Sequence, residues 1–157
     1  MPRTIVDIVL WLFVIIQGVA FGAGLYELRI VIPMWFTRSE ASGVRVDSGA
    51  MQRADVGRRF WGFVTTGPLT LLTLVSFALA WQGHGPRPSF WLLAAGLSLV
   101  ERVGTLFYFI PTAIRLASTD SANESATASR WMALNHVRLG LSLIAWLAAL
   151  EALSLTG

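Results

Sequence analysis

Residues 90–116 read FWLLAAGLSLVERVGTLFYFIPTAIRL, and this stretch decides the fold. It exceeds the roughly 20 apolar residues needed to cross a hydrocarbon layer. Glu101 and Arg102 nevertheless stand near its middle. A charge left bare in lipid costs about 2.5 kcal/mol on the mildest scale, so the pair must face protein, water or a ligand. Thr105, Tyr108, Thr112 and Arg115 follow Glu101 at offsets of 4, 7, 11 and 14. That is helical spacing, and it draws one polar face along an apolar rod. Other helices are needed to cover that face.

Three further apolar runs supply them. The pattern predicts an all-α, four-transmembrane-helix bundle, with helices at about 7–35, 59–81, 89–117 and 130–153, forming one membrane domain over residues 1–157. With 55% hydrophobic and 13% charged residues, too few charges remain to clothe four long helices in water. The first run is longer than the roughly 30 Å hydrocarbon thickness at about 1.5 Å per residue, so it tilts or projects. Its length and the lack of a clear small-residue cleavage site argue against a signal peptide. Gly18 with Gly22, and Ala20 with Gly24, give two small-xxx-small pairs that favour close helix packing. Pro33, Pro68 and Pro111 interrupt three of the helices.

All twelve basic residues are arginine. They sit at helix ends and within helices rather than in a basic patch, so the net charge of +3 does not point to nucleic acid. Cysteine is absent, which removes disulfides and thiolate chemistry. Residues 37–58 are polar with mixed charge and read as an exposed cytoplasmic loop. A short helix is expected near 50–58, capped by Asp47 or Ser48. Residues 82–88 form a breaker-rich turn with an exposed His84, and residues 118–129 read as a flexible loop. Seven arginines (Arg38, Arg45, Arg53, Arg58, Arg59, Arg115 and Arg130) flank the two loops on one side, against Arg3 and Arg87 on the other. The positive-inside rule then predicts a multi-pass protein of the cell membrane with both termini outside. A faint internal repeat links Gly24, Tyr26 and Pro33 with Gly104, Tyr108 and Pro111.

All four helices carry polar groups in the same half of the bundle. These are Glu27 and Arg29 in the first, Arg59 at the start of the second, Glu101, Arg102 and Tyr108 in the third, and Asn135, His136 and Arg138 in the fourth. The expected geometry is a cavity open towards the cytoplasm. A bland alternative is an ion-pair lock of Glu27 with Arg138 and Glu101 with Arg29, although buried pairs stabilise poorly compared with apolar packing. His136 reads as a base or haem ligand, because its charge changes near neutral pH, or as a hydrogen-bonding spacer near the headgroups. One intramembrane histidine without cysteine makes no zinc site. No metal and no cofactor is called for, and haem stays open. Trp35, Trp61 and Trp131 are interfacial anchors or walls for a flat ligand.

Four pieces carry a family resemblance: Gly24-Leu25-Tyr26-Glu27 with Pro33 and Trp35; Glu101-Arg102; Phe107-Tyr108 through Pro111-Thr112 and Arg115; and Arg130-Trp131 with His136-Val137-Arg138. Together they resemble a family of small four-helix membrane proteins that includes the fungal anthrone oxygenases. The resemblance implies oxidation of a phenolic polyketide by dioxygen without an obvious cofactor. On that reading His136 or Glu27 removes a proton and Arg138 balances the anion. Glu101, Arg102, Tyr108, Trp131, Asn135 and Arg29 hold a lipophilic aromatic small molecule delivered by the bilayer. Two other classes remain: a membrane binding or transport protein for a quinone-like or lipophilic acid ligand, and a structural membrane subunit. A homo-oligomer stays open. A ligand-sized pocket beside His136 favours the first two readings, and polar faces that meet directly favour the third.

Overall fold

The structure, a computed structural model, describes residues 3–39, 43–54, 57–118 and 124–155. Four helices are long and apolar enough to cross a membrane: α1 (Ile5–Trp35), α3 (Phe60–Trp81), α4 (Pro86–Ser118) and α5 (Ser125–Ser154). Their outward faces are strongly apolar, with Trp11, Ile15, Phe63, Leu71, Phe107 and Ile114 exposed. In water such faces would aggregate; in lipid they are the solvated surface. The chain is therefore an all-α, multi-pass membrane protein.

The helices form a ring. α1 packs on α3, α3 on α4, α4 on α5, and α5 closes back on α1. Gly18 makes the last contact close, because a Cβ there would stand 3.0 Å from the Trp146 indole. A Cβ at Gly22 would meet nothing within 4 Å, so only one member of that small-residue pair serves packing. At the end of the bundle that carries the termini, Asp7 pairs with Arg87 and ties α1 to the start of α4.

The other end holds a small roof. Phe36–Ser39 (β1) pairs antiparallel with Gly43–Val46 (β2), in the register Phe36 opposite Val46. A short helix, Ser48–Ala54 (α2), follows. Asp47 caps it by accepting the Ala50 N–H at 2.7 Å. Phe36, Val44, Val46 and Met51 are buried against Trp35, Leu116, Ala128 and Trp131. The Val44 N–H donates to Ser125 Oγ at 2.9 Å, and the Gln52 amide donates to the Ala117 carbonyl at 2.6 Å. The segment expected to be an exposed loop is thus folded down on the bundle. The fourth helix also starts at Ser125, within the stretch expected to be a flexible loop. There Arg115 donates to Glu124 at 2.5 and 3.1 Å and stitches the end of α4 to the start of α5. The charge-based orientation counts Arg3, Arg38, Arg58 and Arg59, whose side chains lie outside the described residues.

Three helices contain wide turns with i→i+5 hydrogen bonding, at Glu27–Val31, Gly57–Thr66 and Thr105–Phe109. In the first and third, the Ile32 N–H donates to the Glu27 carbonyl and the Ile110 N–H to the Thr105 carbonyl. Each wide turn ends two residues before a proline: Val31 before Pro33, Thr66 before Pro68, Phe109 before Pro111. A proline has no N–H to donate, and its ring clashes with the carbonyl four residues back. Opening the preceding turn relieves both faults, and such bulges recur at functional sites. α5 lacks proline and runs unbroken for 30 residues.

Candidate functional site

Two apolar clusters divide the interior. One, at the termini end, contains Leu10, Phe13, Leu69, Trp91, Ala94 and Ala149. The other lies under the hairpin and includes Ile32, Trp35, Phe109, Leu116 and Trp131. Between them is a cavity of about 630 Å³, within the roughly 300–1,000 Å³ of small-molecule sites. All three wide turns contribute to its wall, through Glu27 and Leu28, Trp61 and Thr66, and Thr105 and Phe109. The prolines therefore help make the space: an opened turn spreads the helix where the cavity lies.

Glu27 is the focus of the polar lining. Its carboxylate accepts the Trp61 Nε1–H at 3.0 Å on one oxygen and the Arg138 guanidinium at 3.1 Å on the other. Three helices meet at that one group. The guanidinium also lies 4.9 Å from the Phe109 ring centre and 5.8 Å from that of Trp61, so aromatic faces as well as the carboxylate hold the cation. Trp131 donates its indole N–H to the Phe109 carbonyl at 3.2 Å, which fixes one aromatic wall. Asn135, one turn further along α5, donates its amide to the Trp131 carbonyl at 2.9 Å. Nearer the termini end, Glu101 and Arg102 pair with each other at 2.7 Å, both buried.

Of the residues singled out from sequence, Glu27, Glu101, Arg102, Trp131, Asn135 and Arg138 line the cavity together. Three do not. His136 stands on the exposed stripe of α5 with Val137, Gly140 and Ile144. Its Nδ1 donates to the Met132 carbonyl at 3.0 Å, since a carbonyl can only accept. Arg29 is exposed on α1. Tyr108 is half-buried beside the site, its ring edge-on to Phe109 at 5.3 Å. The wide turn explains Tyr108. The extra residue in Thr105–Phe109 shifts the helical phase, so the inward face runs Glu101, Thr105, Phe109, Ala113, Ala117, and Tyr108 and Thr112 turn aside. The pairing of Glu101 with Arg29 is replaced by its pairing with Arg102. At the hairpin end Met51 and Gln52 of α2 form part of the cavity wall. Its exposed lining residues are Gln52 of α2, Gly62 of α3 and Ile110, Ile114 and Ser118 of α4.

Sequence reasoning passed over Phe109, Met51 and Gln52; Trp35, Trp61 and Trp131, read as interfacial anchors or ligand walls, all line the cavity. The alternation in Gly43-Val44-Arg45-Val46 is a strand signal that would have placed the roof. Among the described residues no three His, Cys, Asp or Glu side chains converge as metal ligands.

No curated protein and no solved structure matches this chain. A family model described as anthrone oxygenase matches residues 58–148, which takes in α3, α4 and most of α5 and leaves Glu27 outside the matched stretch. That is more than half of the sequence, and the chain belongs to the anthrone oxygenase family.

Proposed function

We propose that the protein oxidises a flat, weakly acidic aromatic compound of the anthrone type with dioxygen, inside the membrane cavity, and that Glu27 is the base. The observation that carries this reading is the Glu27–Trp61–Arg138 cluster. It sets a carboxylate and a guanidinium side by side in a space walled by Trp35, Phe109 and Trp131. Family membership supports an oxygenase-like role. Glu27 replaces His136 in the base role because His136 lies on the outer face of α5, beyond hydrogen-bonding reach of anything bound within.

The chemistry starts from a carbon bearing two hydrogens between aromatic rings, opposite a ring carbonyl. Glu27 takes one proton, and the electron pair moves through the ring to leave an enolate oxygen. Arg138 balances that charge, and a preorganised cation in a dry site does so at little reorganisation cost. The electron-rich anion passes one electron to dioxygen. The radical pair joins into a carbon–peroxide bond, and the peroxide regains the proton from Glu27. Loss of the second carbon-bound hydrogen as the O–O bond breaks gives a carbonyl and one water. One dioxygen is consumed for each methylene converted to a ketone.

The experiment is oxygen uptake by purified protein in nanodiscs with anthrone, against protein-free nanodiscs. The reading requires quinone formation above the spontaneous rate, with one dioxygen used per quinone. Tight binding of anthrone or quinone without faster conversion would make the protein a binder instead. No binding at all would leave Glu27–Arg138 as a structural lock.

A further inference from the structure

On the α4–α5 side of the cavity, polar atoms are buried without partners. Glu101, Arg102, Thr105 and Asn135 all line the cavity, at 6%, 4%, 6% and 2% exposure. Each has one polar atom that no described residue meets: Glu101 Oε2, Arg102 Nε, Thr105 Oγ1 and Asn135 Oδ1. Native interiors rarely leave such atoms unmet, because each has given up water's hydrogen bonds and gained nothing. Four of them on one wall of a ligand-sized space point to an occupant.

Their chemistry describes it. Glu101 Oε2 and Asn135 Oδ1 accept, the Arg102 Nε–H donates, and the Thr105 hydroxyl does both. The Asn135 orientation is fixed, since its amide nitrogen faces the Trp131 carbonyl at 2.9 Å. Glu101 and Arg102 cancel each other's charge at 2.7 Å, so this side of the cavity asks for no counter-ion. Glu27 is carried by α1, which packs on α3 and α5 rather than on α4.

We propose that Glu101, Arg102, Thr105 and Asn135 form an inner subsite that binds a neutral group carrying both a hydrogen-bond donor and an acceptor. That group is a carboxamide, a protonated carboxyl or a hydroxy-ketone, borne on the edge of the ligand that faces α4 and the early turns of α5. The proposal rests on the aromatic-ligand reading of the cavity but not on turnover. An apolar ring end seated here would leave all four atoms unmet. The subsite thus sets which aromatic compounds bind and which way round they lie.

The test uses the full chain in lipid nanodiscs and three fluorescent probes: anthracene-2-carboxamide, 2-methylanthracene and anthracene-2-carboxylate. Affinities are corrected for partition into lipid. Wild type should bind the carboxamide at least about 4-fold tighter than the methyl compound, as two or more neutral hydrogen bonds of about 2- to 10-fold each would give. Thr105→Val keeps shape and loses no existing bond, so it should fold. It should lower that ratio by about 2- to 10-fold and leave 2-methylanthracene binding unchanged. Adding Asn135→Leu should lower the ratio by about a further 2- to 10-fold, leaving only the preference held by Glu101 and Arg102. Equal binding of carboxamide and methyl probes by wild type would overturn the subsite and leave the aromatic cavity standing. Tightest binding of the carboxylate would overturn the neutral-group assignment in favour of an anion site at Arg102. Equal weakening of all probes by Thr105→Val would make Thr105 part of the cavity's shape only and overturn its assigned role. Binding of no probe would overturn the aromatic-ligand reading itself, and the subsite with it.

Discussion

Removing the charge of Glu27 should cost more than removing the whole Glu27–Arg138 pair. The two groups are 3.1 Å apart, with side chains only 10% and 16% exposed. Two unit charges at that distance attract by about 5 kcal/mol at an effective dielectric constant near 20, and most of this offsets the cost of taking them out of water. Glu27→Gln leaves an acceptor for Trp61 but strands the guanidinium, a loss of about 3–5 kcal/mol for a buried charge without its partner. Arg138→Met strands the carboxylate and removes the cation from the Phe109 face. It keeps an apolar stem there, so its cost should be similar. In the double variant no charge is stranded, and the sum of the single losses should exceed the double loss by at least about 2 kcal/mol. The assay is unfolding in mixed micelles by SDS titration, followed by tryptophan fluorescence, for the four members of the cycle. Losses that add to within about 0.5 kcal/mol would mean that each charge already has another partner. The pair would then not join α1 to α5.

Other outcomes can be checked separately. Gly18→Ala and Gly22→Ala gain the same helix propensity, about 1 kcal/mol. Only the first adds a methyl 3.0 Å from Trp146, so it should be the less stable variant by about 1–3 kcal/mol in the same titration. Cysteines placed at Ser48 and Ser154 should be labelled from opposite sides of the membrane, with Ser48 cytoplasmic; labelling of Ser48 from outside would reverse the topology. The hydrogen bond from Arg115, then one from Thr127, holds the Glu124 carboxyl below its ordinary value of 4.5. A depressed carboxyl contributes fully above its unfolded value and loses that contribution as pH falls through the lower folded one. Wild type should therefore lose stability relative to Glu124→Gln on acidification below about pH 4.5 and show no such relative change above pH 6; parallel pH profiles would contradict this.

The fold class was legible because it rests on quantity. Four apolar runs with few charges leave one architecture. The Glu27–Arg138 contact was legible for a related reason: two opposite charges, each costly alone, lie at matching depth in antiparallel helices. Periodicity failed where the helices depart from 3.6 residues per turn. The wide turn at Thr105–Phe109 moves the inward face from Tyr108 to Phe109, and a fixed helical stride carries no sign of it. Pro33, Pro68 and Pro111 were visible as interruptions, but opened turns at the level of the cavity are a three-dimensional consequence. His136 was chosen for its chemistry. At 3.6 residues per turn it stands about 100° around the helix from Asn135 and about 160° from Arg138, and its orientation depended on which stripe of α5 met α4 and α1. The roof was hidden by composition. Residues 37–58 are polar on average, yet Val44, Val46 and Met51 are buried, and so small an apolar set becomes a core only when docked on the bundle.

The central claim is that a carboxylate at position 27 drives proton removal from an aromatic substrate inside the bundle. Single-turnover quinone formation from anthrone under saturating dioxygen tests it most directly, comparing wild type with Glu27→Gln in nanodiscs and using quinone affinity to confirm an intact cavity. Glu27→Gln should bind the quinone as wild type does but form it about 100-fold more slowly or worse, the usual range for loss of a general base. His136→Phe, altered outside the cavity, should form it at the wild-type rate. An unchanged rate in Glu27→Gln, or a collapse in His136→Phe alone, would contradict the account.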